Sequence, residues 1–109
     1  MHELAITQSV VEAVTERTGT ARVAAVRVRV GRLAGVVPDA MAFCFELVTA
    51  GTTLDGAVLE FEQPEGRGRC RTCGADVALP DLVLLCDCGS ADVEVLAGRE
   101  LAVASVVLA

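Results

Sequence analysis

The chain has 109 residues, with 15 Asp plus Glu against 9 Lys plus Arg, three Phe and no Tyr or Trp. A net charge of −6 and so few stacking aromatics argue against a nucleic-acid binder, which needs a basic face. No apolar run reaches the roughly 18 residues that would span a bilayer. With neither a basic start nor a small-residue cleavage site at the N-terminus, the expectation is one main domain in the cytoplasm with reduced thiols.

In chain order, Leu4, Ile6, Val10, Val11 and Val14 recur at helical spacing with Glu3, Glu12 and Glu16 outside, and Gly19 stands where a helix commonly ends. From Ala25 to Gly31, Val26, Val28 and Val30 alternate with Arg27 and Arg29, the pattern of a half-buried strand. After the loop from Gly31 to Val37, Pro38 and Asp39 open a second helix that places Met41, Phe45 and Val48 on one stripe and stops near Gly51. A second strand covers Ala57 to Glu62, with Leu59 and Phe61 facing the same way.

A cysteine-rich stretch interrupts this pattern from Pro64 to about Ala97, and Leu101 to Leu108 then reads as a buried, nearly continuous apolar strand. That strand needs a partner sheet, and the cysteine stretch offers little apolar surface. The economical fold is α+β: two helices packed on a small mixed β-sheet, built from residues 1–63 plus 98–109, with residues 64–97 inserted as a zinc-ribbon-like module.

The inserted stretch holds Cys70-Arg71-Thr72-Cys73-Gly74 and Cys86-Asp87-Cys88-Gly89. Two close pairs separated by a loop suit one tetrahedral metal site, and Zn(II) takes four thiolates at about 2.3 Å. A thioredoxin-type redox pair would open a helix after a buried strand, whereas Cys70 follows Gly66-Arg67-Gly68-Arg69. Ferredoxin spacings are absent. About thirty residues cannot fold on a core alone, so the metal would staple them. Arg67, Arg69 and Arg71 are expected to offset the negative charge of the four-thiolate centre. Cys-X-Cys is one residue shorter than the usual knuckle, so its bite must be tighter or its turn distorted. Cys44, among apolar neighbours at helical spacing, reads as core packing.

The only histidine is His2. A free terminal amine, the backbone nitrogens of residues 2 and 3 and an imidazole lie within chelating reach of one another, and planar nitrogen donors suit Ni(II) or Cu(II). The plainer alternative is a solvated histidine at a frayed terminus.

Met1-His2-Glu3-Leu4 opening an amphipathic helix, Gly31-Arg32-Leu33-Ala34-Gly35-Val36 leading to Pro38, Phe43-Cys44-Phe45-Glu46, the four-cysteine module and Gly98-Arg99-Glu100-Leu101 together resemble the HypA/HybF family of hydrogenase nickel-insertion proteins, nearly end to end. The resemblance implies a nickel metallochaperone for [NiFe]-hydrogenase maturation. Met1, His2 and Glu3 would bind Ni(II) transiently, and Cys70, Cys73, Cys86 and Cys88 would bind structural Zn(II). A nickel-handling GTPase and the hydrogenase large subunit would be its partners. The family's second knuckle is typically Cys-Pro-X-Cys-Gly, and this chain lacks one residue of it.

The alternative is a zinc-ribbon adaptor between proteins that carries no nickel. An enzyme is not expected: no nucleophile has an adjacent base, no phosphate loop is present, and a zinc closed by four cysteines has no open position for substrate.

Overall fold

The computed structural model describes residues 2–109. Its elements are α1 (Glu3–Thr18), β1 (Val23–Val30), α2 (Pro38–Thr49), β2 (Val58–Glu62), β3 (Gly66–Cys70), β4 (Asp76–Leu79), β5 (Val93–Ala97) and β6 (Leu101–Leu108). They form two compact units. One extends up to Arg29 and includes Val36–Glu62 and Ala102–Ala109; the other joins Val30–Gly35 to Gln63–Leu101. The α+β class expected from the pattern is the one observed.

In the first unit α1 buries Thr7, Val10, Val11 and Val14, a stripe at i, i+3, i+4 and i+7. Leu4, expected in that stripe, is 49 % exposed. At 3.6 residues per turn the stripe centres between Thr7 and Val14, which leaves Leu4 on its margin in the first turn. Thr7 is fully buried instead, its hydroxyl donating to the Glu3 carbonyl at 2.6 Å. Helix α2 starts at Pro38, whose missing N–H costs nothing in a first turn, and buries Met41, Phe45 and Thr49.

Strand β1 is central in a three-stranded mixed sheet of order β2-β1-β6. It runs parallel to β2, with Val26 opposite Leu59 and Val28 opposite Phe61, and α2 supplies the crossover that parallel strands require. On the sheet's other face Arg27 and Arg29 meet Glu60 and Glu62 at 3.0–3.8 Å. Such exposed pairs contribute little to stability, but a one-residue slip would break them all, so they support the register.

The expectation of a buried C-terminal strand is overturned. No residue of β6 is buried, and Leu101, Val107 and Leu108 are 42–55 % exposed. The strand is antiparallel to β1, with the Gly31 N–H bonded to the Glu100 carbonyl at one end and the Ala109 N–H to the Arg22 carbonyl at the other. It lies at the sheet edge, where an apolar run is covered on one side at most; composition marks β-propensity and not position within the sheet.

The second unit is an antiparallel sheet of order β4-β3-β5 over a small core of Leu33, Cys70, Leu79, Cys86 and Val93. The cysteine stretch is therefore less poor in apolar surface than expected, and it draws Leu33 from the loop after β1. Two bonds hold that loop: the Leu33 N–H to the Gly98 carbonyl at 2.7 Å and the Arg32 N–H to the Pro64 carbonyl at 3.0 Å. Strand β3 alternates buried Gly66, Gly68 and Cys70 with exposed Arg67 and Arg69. A Cβ on Gly68 would lie 2.7 Å from the Glu94 carbonyl oxygen and from Val93 Cγ1, so only glycine allows β5 to approach this closely.

Candidate metal centre

Each cysteine pair sits on a short turn closed by its own backbone. In the first, the Gly74 N–H reaches back four residues to the Cys70 carbonyl and the Cys70 N–H bonds the Ala75 carbonyl, both at 2.9 Å. In the second, the Gly89 N–H reaches back only three residues to the Cys86 carbonyl and the Cys86 N–H bonds the Ser90 carbonyl, again both at 2.9 Å. The residue missing from Cys-X-Cys is thus absorbed by closing the turn one position earlier. In both turns the glycine after the second cysteine has positive φ, 78° at Gly74 and 91° at Gly89, which a side chain would resist. A Thr72–Ser90 hydroxyl contact at 2.8 Å joins the two knuckles.

The four Sγ atoms converge within 4.8 Å of one another. Cys70 Sγ lies 3.7 Å from Cys88 Sγ, and Cys73 Sγ 3.6 Å from Cys86 Sγ, so both of these approaches cross between knuckles. Four sulfurs about 2.3 Å from a common centre stand about 3.8 Å apart at the corners of a tetrahedron, whereas a disulfide requires about 2.05 Å. The donor set therefore fits a tetrahedral ion bound by thiolates. Cys70 and Cys86 are buried, and Cys73 and Cys88 are exposed.

The thiols differ in acidity for local reasons. The Cys73 backbone N–H points at Cys70 Sγ at 3.5 Å and, against the effect of burial, lowers Cys70 to about 6. At Cys86 the Cys88 backbone N–H favours the thiolate, but burial and the three neighbouring sulfurs prevail and raise it to about 12. Cys88 is also raised: the Ser90 N–H and Cys86 lower it, and Cys70, burial and Cys73 outweigh them. The Cys70 thiolate is thus ready near neutral pH, while Cys86 and Cys88 must release protons when a cation binds.

Two of the three arginines expected to neutralise the centre, Arg69 and Arg71, are engaged elsewhere. Arg71 pairs with Asp92 at 2.8 Å and with Glu94 at 3.9 Å, and Arg69 pairs with Asp76 at 3.4 Å. Because β3 alternates, its arginines point away from the face that carries Cys70. They tie β3 to its neighbouring strands and the segment before β5. Cys44 lies half-buried on α2, outside the cluster.

Of the residues expected to bind nickel, Met1 lies outside the described residues. His2 is exposed immediately before α1, and its side chain makes no capping bond. Glu3 is the first residue of α1, and its Oε2 accepts the Val37 N–H at 3.3 Å. Its own backbone N–H and that of Val37 hold the carboxyl below the usual carboxylate range. Sequence reasoning missed this link between the starts of α1 and α2; Glu in a first turn was the available signal. Among the described residues no helix is long and apolar enough to cross a membrane.

Two helices on a small mixed sheet, together with a unit in which four thiols converge, define a small α+β protein with a cysteine cluster that could hold a metal ion. Residues 1–108 match the family described as "Hydrogenase/urease nickel incorporation, metallochaperone, hypA". The chain is 52 % identical over 104 residues to the hydrogenase maturation factor HypA of Geotalea uraniireducens, with 94 % of each chain covered. It is 42 % identical over 106 residues to that of Nostoc punctiforme, covering 97 % of this chain and 94 % of the relative. Its fold is similar to the solution structure of the Ni metallochaperone HypA from Helicobacter pylori, with a TM-score of 0.66, 18 % identity, and coverage of 99 % of this chain and 97 % of that one. The chain belongs to the HypA family of nickel metallochaperones in hydrogenase maturation.

Proposed function

We propose that this protein carries Ni(II) to [NiFe]-hydrogenase during its maturation, with Zn(II) as a resident structural ion. The observation that carries this reading is the match of residues 1–108 to a nickel-incorporation family, a span that includes the His2–Glu3 terminus and all four cysteines of the cluster. Zn(II) is the ion that best suits four thiolates in a closed tetrahedral set, where it supplies cohesion and leaves no open position for substrate. Cys70, Cys73, Cys86 and Cys88 would hold it. The protein is accordingly a carrier and not an enzyme.

Nickel would bind through the Met1 amine, the His2 imidazole and backbone nitrogens around Glu3, donors that suit a planar Ni(II) complex. The exposure of His2 supports this role. The Glu3 carboxylate, occupied by the Val37 N–H, would act by fixing the start of α1 while its backbone faces the metal. In this division of labour the unit built on α1 and α2 handles nickel and the cysteine unit holds zinc. The partners would be a nickel-handling GTPase, which performs any GTP hydrolysis, and the hydrogenase large subunit. The setting would be the cytoplasm, with no role for nucleic acid or membrane.

Calorimetry and absorption spectroscopy on tag-free, zinc-loaded protein test the proposal. Wild type should bind one Ni(II) with a planar nitrogen-rich spectrum, and His2→Ala should abolish this binding while the zinc stays. Equal nickel binding by His2→Ala would remove the N-terminal site and leave the adaptor reading.

A further inference from the structure

Helix α2 buries Met41, Phe45 and Thr49, and Phe43 lies close to diametrically opposite that stripe at 100° per residue. Phe43 is 63 % exposed and Leu47, one turn on, 60 %. Single exposed apolar side chains are ordinary on any surface. Two large ones at i and i+4, centred on the outward face of a helix, form a ridge. Asp39 and Glu46 lie along one side of that ridge, both exposed, and among the described residues neither has an ion-pair partner.

Charge is segregated around this ridge. Helices α1 and α2 carry Glu3, Glu12, Glu16, Asp39 and Glu46 against Arg17 alone. The arginines of β1 are matched to Glu60 and Glu62 across the sheet. The two helices of the first unit are therefore net acidic, and the ridge on α2 is apolar.

We infer that the outward face of α2 is a docking surface for an amphipathic helix of a partner protein, one whose apolar stripe is bordered by Lys or Arg. The apolar stripe covers Phe43 and Leu47, an aromatic anchor with its neighbour one turn away, as interface centres favour. The basic border meets Asp39 and Glu46 and is steered by the net acidic charge of the two helices. A second copy of this chain is a poor occupant, because a two-fold contact would set these carboxylates against their own duplicates. An anionic lipid surface is disfavoured by the same charges. The surface uses neither His2 nor any cysteine of the cluster, so it stands or falls separately from the nickel proposal.

The test uses the full-length, metal-loaded protein labelled with 15N and two 18-residue helix-forming Leu/Lys peptides of identical composition. One has its leucines in a single stripe and the other has them scattered. The striped peptide should shift the amides of residues 39–50 and bind about tenfold or more tightly than the scattered one. Phe43→Ser and Leu47→Ser should each remove about tenfold of that affinity. Glu46→Lys, which leaves the apolar ridge and the fold intact, should also weaken binding and flatten its dependence on salt, while Leu82→Ser in the other unit should change nothing. Amide dispersion confirms that each variant is folded. The inference is overturned if both peptides bind alike, if the shifts fall on Glu60 and Glu62 or in the cysteine unit, or if Phe43→Ser binds as wild type. It is equally overturned if the protein alone forms a dimer that Phe43→Ser abolishes, because a second copy would then be the occupant.

Discussion

Removing the metal, or one of its ligands by Cys86→Ser, should unfold the cysteine unit while the helical unit stays folded. Besides Cys70 and Cys86 the second unit's core contains Leu33, Leu79 and Val93. Full burial of such side chains contributes about 1.5–3 kcal/mol each, so the three together supply about 5–9 kcal/mol. A structural Zn(II) in a small domain contributes about 10–16 kcal/mol, so a zinc held as proposed would stabilise the unit more than its apolar core does. Losing a direct ligand should lower affinity by more than the roughly 10–100-fold that loss of a ligand's outer hydrogen-bond partner costs. The assay is amide hydrogen exchange on wild type, chelated wild type and Cys86→Ser. Protection in β3 and β5, at Arg69, Cys70 and Glu94, should collapse. Protection at Val26 and Val28 should persist. Acid should have the same effect as chelation, since protons compete for the sulfurs and Cys86, with its pKa raised to about 12, regains its proton most readily. Persistent protection of β3 after complete chelation would show that the core suffices and that the metal is not structural.

Met41→Ala should lower the stability of the helical unit by about 2–5 kcal/mol, because Met41 is fully buried; denaturant unfolding should show this with metal content unchanged. The Glu3 carboxyl is held below its ordinary value, so its contribution should be complete above about pH 4.5, the unfolded value, and vanish as pH falls through the lower folded value. Glu3→Gln should therefore reduce the melting temperature at pH 7, with a deficit that shrinks as pH falls below about 4.5, and a deficit that stays constant with falling pH would rule out the carboxylate's bond to Val37 as the cause. Cys44→Ala should retain both metals in elemental analysis, since Cys44 packs on α2 outside the cluster; loss of either metal would make Cys44 a ligand.

Both helices, all three strands of the first sheet and the grouping of four cysteines are legible in the chain, because each is written in short-range periodicity or spacing. Even there a pattern left the occupant of a position open: Thr7 is buried where Leu4 was expected, since a hydroxyl returned to the Glu3 carbonyl makes threonine compatible with a core position. Tertiary structure alone decided where elements sit relative to others. The apolar β6 became an exposed edge, Leu33 joined the core of the cysteine unit, and Arg69 and Arg71 turned to carboxylates on or beside neighbouring strands and not to the sulfurs. The shortened knuckle shows the same division, for its missing residue is visible in the sequence, yet only the backbone bond from Gly89 to Cys86 shows how the turn closes early and still delivers both sulfurs. For β6, Leu33 and the arginines the physical reason is the same. Periodicity reports which face of an element is apolar, whereas strand order, loop docking and side-chain pairing depend on contacts between residues far apart in the chain, which no local pattern encodes.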